Sequence, residues 1–224
     1  MIDFVKIHNT LVNWLFQFET KTNNPYLETF QALNKDFPMI DFRNLGQDQA
    51  ATMKYMFNDL IRKRARDYLI RYYSFAVPND QSIEMIINHM GNGLVEYGCG
   101  PAYWSWVIAQ RVIQSDKIVC FDTLDWGITG EGRTKLWMNV IKCDPDAKVL
   151  KDHSKMTLLV VWPGGYLDMA LNQYQGDTII YVGERGGCCD WDERLDNDWE
   201  QVDDCEIEQW DLINDHLYVL KRKP

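Results

Sequence analysis

Leu94-Val95-Glu96-Tyr97-Gly98-Cys99-Gly100-Pro101 reads as a short strand that ends in a glycine turn and opens a helix. Two glycines one residue apart let the backbone turn tightly and let a ligand approach with no Cβ in the way. Pro101 suits the first position of a helix, where its missing N–H costs nothing. The helix start offers unpaired N–H groups and partial positive charge to an anionic group. Asp122 stands 26 residues beyond Glu96, directly behind the apolar run Ile118-Val119-Cys120-Phe121. A carboxylate at the end of a second strand is placed to accept hydrogen bonds from both ribose hydroxyls of an adenosine. The plainer alternative is that Asp122 caps a loop.

The size of the next residues narrows the ligand. A dinucleotide turn of the form G-x-G-x-x-G wants Gly or Ala at its sixth place, so that the helix packs close under a pyrophosphate. That place is Tyr103, followed by Trp104. Nicotinamide and flavin dinucleotides are therefore disfavoured. Glu96, two places before the first glycine, points to a ligand with a cationic amino-acid end, which is the pattern of S-adenosylmethionine.

These residues need a scaffold, and the periodicity predicts an α/β one. Apolar residues from Gln47 to Tyr72 recur at helical spacing (Met53, Met56, Phe57, Leu60, Ile61, Tyr68, Leu69, Tyr72). Phe4, Ile7, Leu11, Trp14, Leu15 and Phe18 suggest an earlier amphipathic helix. Asn23-Asn24-Pro25 and Phe37-Pro38 mark breaks. Pro78 argues against a helix through Tyr73–Asp80, because it pushes the preceding residue toward extended geometry. Beyond it we expect a helix over Gln81–Met90, a strand over Leu94–Tyr97 and a helix over Tyr103–Gln114. A strand follows over Lys117–Phe121, and the short apolar segment Val140-Ile141 comes after it. Then come a strand over Met156–Trp162, a helix over Leu167–Tyr174 and a strand over Thr178–Val182. Two further strands, Glu206–Trp210 and Leu217–Lys221, would form a hairpin around Asn214-Asp215. Alternation of this kind implies a mainly parallel sheet covered on both faces, with an antiparallel hairpin at one edge and a helical cap before it.

Composition excludes several classes. The 224 residues are 46% hydrophobic, enough for one sizeable core. No apolar run reaches the roughly 18 residues that would span a bilayer. The N-terminal residues lack the pattern of a secretory signal, so a soluble, cytoplasmic protein with no membrane partner is expected. The six cysteines form no C-x-x-C pair, and no metal site is expected. Net charge is −10, and it is concentrated. Glu184 to Asp215 holds 13 acidic residues against two basic ones, Arg185 and Arg194, while the remainder is close to neutral. An acidic surface repels a phosphate backbone, which weighs against a nucleic-acid partner. The basic cluster Arg62, Lys63, Arg64, Arg66 and Arg71 is the one counter-signal, with a solvated helix face as its simpler explanation.

With these residues assembled, the chain from about Tyr73 to Lys223 resembles a family of predicted S-adenosylmethionine-dependent methyltransferases of unassigned substrate, found in eukaryotes, microbes and viruses. Five blocks carry the likeness: Tyr73-Ser74-Phe75-Ala76-Val77-Pro78-Asn79, Val95 to Trp104, Leu158-Leu159-Val160-Val161-Trp162-Pro163, Tyr174 to Glu184, and Gly186-Gly187-Cys188. The resemblance implies a Rossmann-like methyltransferase sheet over residues 76–224, with a helical N-terminal cap over residues 1–75. It implies that Glu96, Gly98 and Gly100 hold the methionine end of the cofactor and that Asp122 holds its ribose. Asp144 is the candidate for the adenine, unless Asp144-Pro145 forms only a turn. Tyr103, Trp104 and Pro78 would lie at the same cofactor.

In the family, the turn after the fourth strand usually reads Trp-Pro-Pro followed by an aromatic. Here it is Trp162-Pro163-Gly164-Gly165-Tyr166, with the second proline gone and the aromatic displaced by one. Methyl transfer needs positioning of a nucleophile in line with the sulfonium methyl. Trp162 and Tyr166 would wall the methyl or stack on a flat substrate, and the Pro163 carbonyl region would accept bonds from a substrate amine. Glu184 would take a proton or hold a polar substrate. The bland alternatives are a core role for Trp162 and a turn-capping role for Glu184. The methyl acceptor is expected to be a small molecule or a protein group. A catalytically inactive binding module and a nucleic-acid methyltransferase are the alternatives.

Overall fold

The computed structural model describes residues 22–39, 49–124, 135–144 and 147–224. The chain divides into two compact units, Met1–Arg71 and Tyr72–Pro224. The helix expected over Phe4 to Phe18 lies outside the described residues.

In the first unit, α1 (Pro25–Asp36) starts where Asn24 accepts the Leu27 N–H at 3.3 Å and Pro25 takes the first turn. Tyr26, Phe30 and Leu33 form its buried stripe. The long helix α2 spans Gln49–Tyr72. Arg62 is buried and donates to Asn34 Oδ1 at 2.7 Å and to the Phe37 carbonyl at 3.2 Å. Lys63 pairs with Asp59 one turn earlier at 2.9 Å. The basic cluster is therefore not one exposed patch.

The second unit is built on a seven-stranded sheet: β1 (Leu94–Tyr97), β2 (Ile118–Asp122), β3 (Val140–Lys142), β4 (Thr157–Val161), β5 (Thr178–Gly183), β6 (Trp199–Glu206) and β7 (His216–Arg222). Their order is β3-β2-β1-β4-β5-β7-β6. β1 to β5 run parallel, β7 is antiparallel to β5, and β6 is antiparallel to β7. Every residue of β1, β4 and β5 is buried. Since neighbours on a strand face opposite ways, both faces of these strands are covered, as a parallel sheet requires. The chain leaves β1 toward β2 on one side and returns to β4 on the other. That reversal is a topological switch point, and in open α/β sheets ligands bind at such points beyond the carboxyl ends of the strands.

In this unit the three expected helices are present, one of them shortened. Helix α3 (Asp80–His89) carries a reciprocal capping box between Asn79 and Ser82, with buried Pro78 just ahead of it. Helix α4 (Tyr103–Ala109) stops well short of Gln114, and Ile113 beyond it is fully exposed. Helices α5 (Leu167–Gln173) and α6 (Arg194–Asn197) complete the set.

One strand needs correcting. The first arm of the hairpin is Trp199–Glu206, not Glu206–Trp210, and it pairs Trp199 with Arg222 and Glu206 with His216. β6 is an edge strand whose middle five residues are all exposed and mostly acidic, so it lacks the alternation that marks a half-buried strand. Ile207 and Trp210, which suggested a strand further on, are buried from the loop instead.

Candidate functional site

The glycine turn after β1 is held by β2, since the N–H groups of Gly98 and Cys99 both donate to the Phe121 carbonyl, at 2.9 and 3.1 Å. Gly98 has φ +69°, a conformation that favours glycine. The space a side chain would take there is filled by Tyr166, for a Cβ at Gly98 would meet Cε2 of that ring at 2.7 Å. Tyr166 comes from the turn after β4, and its hydroxyl donates to the Val161 carbonyl at 3.1 Å, with the Gly98 carbonyl at 3.5 Å. Its ring meets Tyr97 edge-on at 5.9 Å. Burial pushes the phenol well above its ordinary range, and the negative charges of Glu96 and Asp122 push the same way.

Glu96 is 1% exposed. Its Oε2 accepts the Ser105 hydroxyl at 2.5 Å and the Ser105 N–H at 3.3 Å. Ala102, the residue that precedes α4, has no side chain to cap the helix, so Glu96 supplies the missing acceptor from the neighbouring strand. Burial raises its pKa well above the usual carboxylate range, Cys120 and Asp122 add to that, and the Ser105 bonds oppose it.

Asp122 ends β2 and accepts the Gly100 N–H at 2.8 Å through Oδ2 and the Leu124 N–H at 2.7 Å through Oδ1. This both caps the loop and fixes the carboxylate against the glycine turn. Asp144 is exposed just past β3, where Cys143 donates to the Asp122 carbonyl at 3.0 Å. The two carboxylates therefore stand on adjacent strand ends. Pro145 lies outside the described residues.

A second group lies beyond β4. Trp162 has φ +51°, strained for a residue with a Cβ, and its N–H donates to the Val182 carbonyl at 2.7 Å. Its indole N–H donates to Asp215 at 2.7 Å, and its ring lies flat on Phe75 at 4.8 Å and 6°. Asp215 is completely buried, whereas Trp162 is only half-buried. The Pro163 carbonyl already accepts the Asp190 N–H at 3.0 Å.

Glu184 takes the capping role. Its Oε2 accepts the Cys188 N–H and thiol, each at 3.0 Å, and its Oε1 accepts the Asn214 backbone and side-chain N–H groups at 3.0 and 3.1 Å. These bonds, those from Cys188 foremost, lower its pKa to about 2. A carboxylate held that low is ionised at neutral pH. Tyr103 and Trp104 lie inside the fold. Both are fully buried, Tyr103 against Tyr73 and Trp137, and Trp104 with its indole N–H on the Ala76 carbonyl at 3.2 Å. They pack behind the turn, from inside the fold. Pro78 is likewise buried, next to a bridge between Val77 and Glu208.

The structure thus gathers Glu96, Gly98, Gly100, Asp122 and Tyr166 at one place, and Trp162 and Pro163 beside them on the next strand. Sequence reasoning missed Ser105, Phe75, Asp190 and Asp215. Phe75 stood inside a recognised block, but nothing in the sequence marked the others.

Strand order, the antiparallel β7 and a carboxylate-flanked glycine turn after β1 define the Rossmann-like methyltransferase fold. No protein-family model matches this chain, and no curated protein matches its sequence. Among solved structures it is similar to magnesium protoporphyrin IX methyltransferase (ChlM) from Synechocystis PCC 6803 with bound SAM, at 12% identity and a TM-score of 0.42, covering 88% of this chain and 94% of that one. It is similar to the N-methyltransferase NodS from Bradyrhizobium japonicum in complex with S-adenosyl-L-homocysteine, at 14% identity and a TM-score of 0.42, covering 87% and 98%. TrmK of M. capricolum, also in complex with S-adenosyl-homocysteine, gives 10% identity and a TM-score of 0.40, covering 65% and 69%. The likeness is distant, and the strand order itself carries the fold assignment. Among the described residues no helix is long and apolar enough to cross a membrane.

Proposed function

We propose that this protein is an S-adenosylmethionine-dependent methyltransferase acting on a small molecule or a protein group. The observation that carries the reading is the Asp122 carboxylate, fixed 2.8 Å from the Gly100 N–H at the end of β2 and beside the buried acid Glu96. The residues fit such a cofactor. Asp122 raises the pKa of Glu96, Cys99 and Tyr166 alike, and a carboxylate so placed suits a cationic ligand and opposes a pyrophosphate.

When bound, the cofactor supplies a methyl group on a sulfonium, an electrophile that needs no activation by the protein. The chain's part is to bind and orient. Asp122 takes the ribose hydroxyls, Asp144 stands by the adenine, and Glu96 with the Gly98–Gly100 turn faces the amino-acid end. Trp162, Pro163 and Tyr166 form the wall on which the acceptor is placed. Residues 76–224 make up the cofactor domain and residues 1–75 a helical cap. Six free cysteines accord with a reducing, cytoplasmic setting.

A second reading has its own observation. Tyr166 fills the space over Gly98, and Glu96 is tied to Ser105, which would suit a methyltransferase fold that binds partners without turnover. Calorimetric titration with S-adenosylmethionine and S-adenosylhomocysteine tests both. The methyltransferase reading expects micromolar binding that Asp122→Ala abolishes, followed by transfer of labelled methyl to an acceptor pool. Absence of binding to either ligand refutes the cofactor site and leaves the binding module.

A further inference from the structure

The turn that carries Trp162 and Tyr166 has two consecutive glycines, Gly164 and Gly165, yet Tyr166 is held over Gly98. Neither glycine is braced by side-chain packing: no atom lies within 4 Å of where a Cβ would stand on Gly164 or Gly165. Gly165 has φ +76°. Left to itself, such a pair is the most mobile dipeptide a chain can place in a turn.

The geometry points to Asp190 as the residue that fixes this turn and so positions Tyr166 on the glycine turn. Asp190 grips the turn twice. Its N–H donates to the Pro163 carbonyl at 3.0 Å, and its carboxylate accepts the Gly165 N–H. It is itself anchored to the sheet, because its carbonyl accepts the hydroxyl of Tyr181 at 2.7 Å, and Tyr181 is fully buried on β5. The chain of contacts runs from β5 through Tyr181 and Asp190 to Gly165, and one residue later to the ring that covers Gly98. A carboxylate bound to a backbone N–H is a charge-assisted bond. It does by an external brace what a second proline ring does by fixing φ. Asp190 touches neither cofactor nor acceptor in this account. It is a positioning residue, and its role in the reaction rests on the methyltransferase reading above.

The experiment compares wild type, Asp190→Ala, Asp190→Asn and Asp190→Ala combined with Gly164→Pro. Alanine keeps the backbone bonds to Pro163 and Tyr181 and removes only the carboxylate, whereas asparagine retains a side-chain carbonyl that can still accept from Gly165. Gly164 does not hold a positive φ and has room for a ring. Two quantities are read: hydrogen exchange of the Gly165 amide in ligand-free protein, and the affinity for S-adenosylhomocysteine. In Asp190→Ala the Gly165 amide should exchange about tenfold to a hundredfold faster while the amides of β4 and β5 keep their protection. Affinity should fall about tenfold as Tyr166 loses its fixed position. Asparagine should remain near wild type, and the proline variant should recover most of the affinity without recovering the Gly165 bond. Unchanged Gly165 exchange in Asp190→Ala overturns the inference, as does faster exchange with unchanged affinity. A uniform loss of protection that proline does not rescue also overturns it. If wild type binds no S-adenosylhomocysteine, the cofactor reading fails on its own, and Gly165 exchange still decides whether Asp190 holds the turn.

Discussion

Replacing Gly98 with alanine tests the central packing relation of the site. Alanine at φ +69° costs about 1–2 kcal/mol from backbone strain alone. The new methyl would also stand 2.7 Å from Cε2 of Tyr166, closer than Cβ atoms pack, so the ring must move. Moving gives up the hydroxyl's bond to Val161, worth about 1 kcal/mol, and the edge-on contact with Tyr97, worth about 0.5–1.5 kcal/mol. Gly98→Ala should therefore destabilise the protein by about 2.5–4.5 kcal/mol in urea unfolding. The clash and the strain separate in a double-mutant cycle with Tyr166→Ala. Once the ring is gone, only strain remains, and the cost of Gly98→Ala should drop to about 1–2 kcal/mol. If the two substitutions instead add within about 0.5 kcal/mol, Tyr166 does not occupy the space over Gly98 and the account of the site is wrong.

Other consequences follow from the same contacts. Glu184 is depressed from 4.5 to about 2, so its bonds to Cys188 and Asn214 stabilise the fold above pH 4.5, and that contribution is lost as pH falls from about 4.5 toward 2. Glu184→Gln should flatten this part of the acid-unfolding curve, and an unaltered curve would contradict it. Glu96 is raised, so ionising it opposes folding: its contribution is present below the ordinary carboxylate pKa and is lost as pH rises through the folded value. Glu96→Gln should hold stability more constant over that rise in ligand-free protein while weakening S-adenosylmethionine binding in the same calorimeter. Trp162→Phe keeps a ring on Phe75 but strips buried Asp215 of its indole donor, and should cost about 1.5–3 kcal/mol in urea unfolding. A cost near zero would mean that Asp215 does not depend on Trp162.

Much of this was legible in the sequence because the carriers were local. The strand Leu94–Tyr97, the glycine turn and Asp122 all lie within one stretch whose apolar runs and breaks announce themselves, and β4 and β5 are uninterrupted apolar runs. β6 was misplaced because its exposed acidic residues carry no period-two signal, and its place is set by pairing with β7. The site residues that were missed act across the chain. Ser105 meets Glu96 only because α4 folds back over β1, and Asp215 meets Trp162 across 53 residues. Asp190 reaches Gly165 across 25. No spacing rule predicts such partners. The bulk of Tyr103 and Trp104, plain in the sequence, is fully buried, and only the fold shows which neighbours it packs on.

The charge at the turn argues for one ligand class more strongly than the glycines do. A glycine turn at the end of a first strand serves dinucleotides and sulfonium cofactors alike, and the difference lies in what surrounds it. A pyrophosphate needs donors and positive potential. Here the Gly98 and Cys99 N–H groups are spent on Phe121, and the Gly100 N–H is spent on Asp122. The carboxyl of Glu96 lies buried beneath, with Asp122 raising its pKa further. Such a turn repels phosphate and attracts a cation. A cationic ligand would in turn favour the ionised form of Glu96, so its binding should release a proton and strengthen as pH rises through the raised value. In the ligand-free protein Glu96 accepts the Ser105 N–H and hydroxyl at the start of α4, and a bound cation would add the counter-charge that these bonds do not supply.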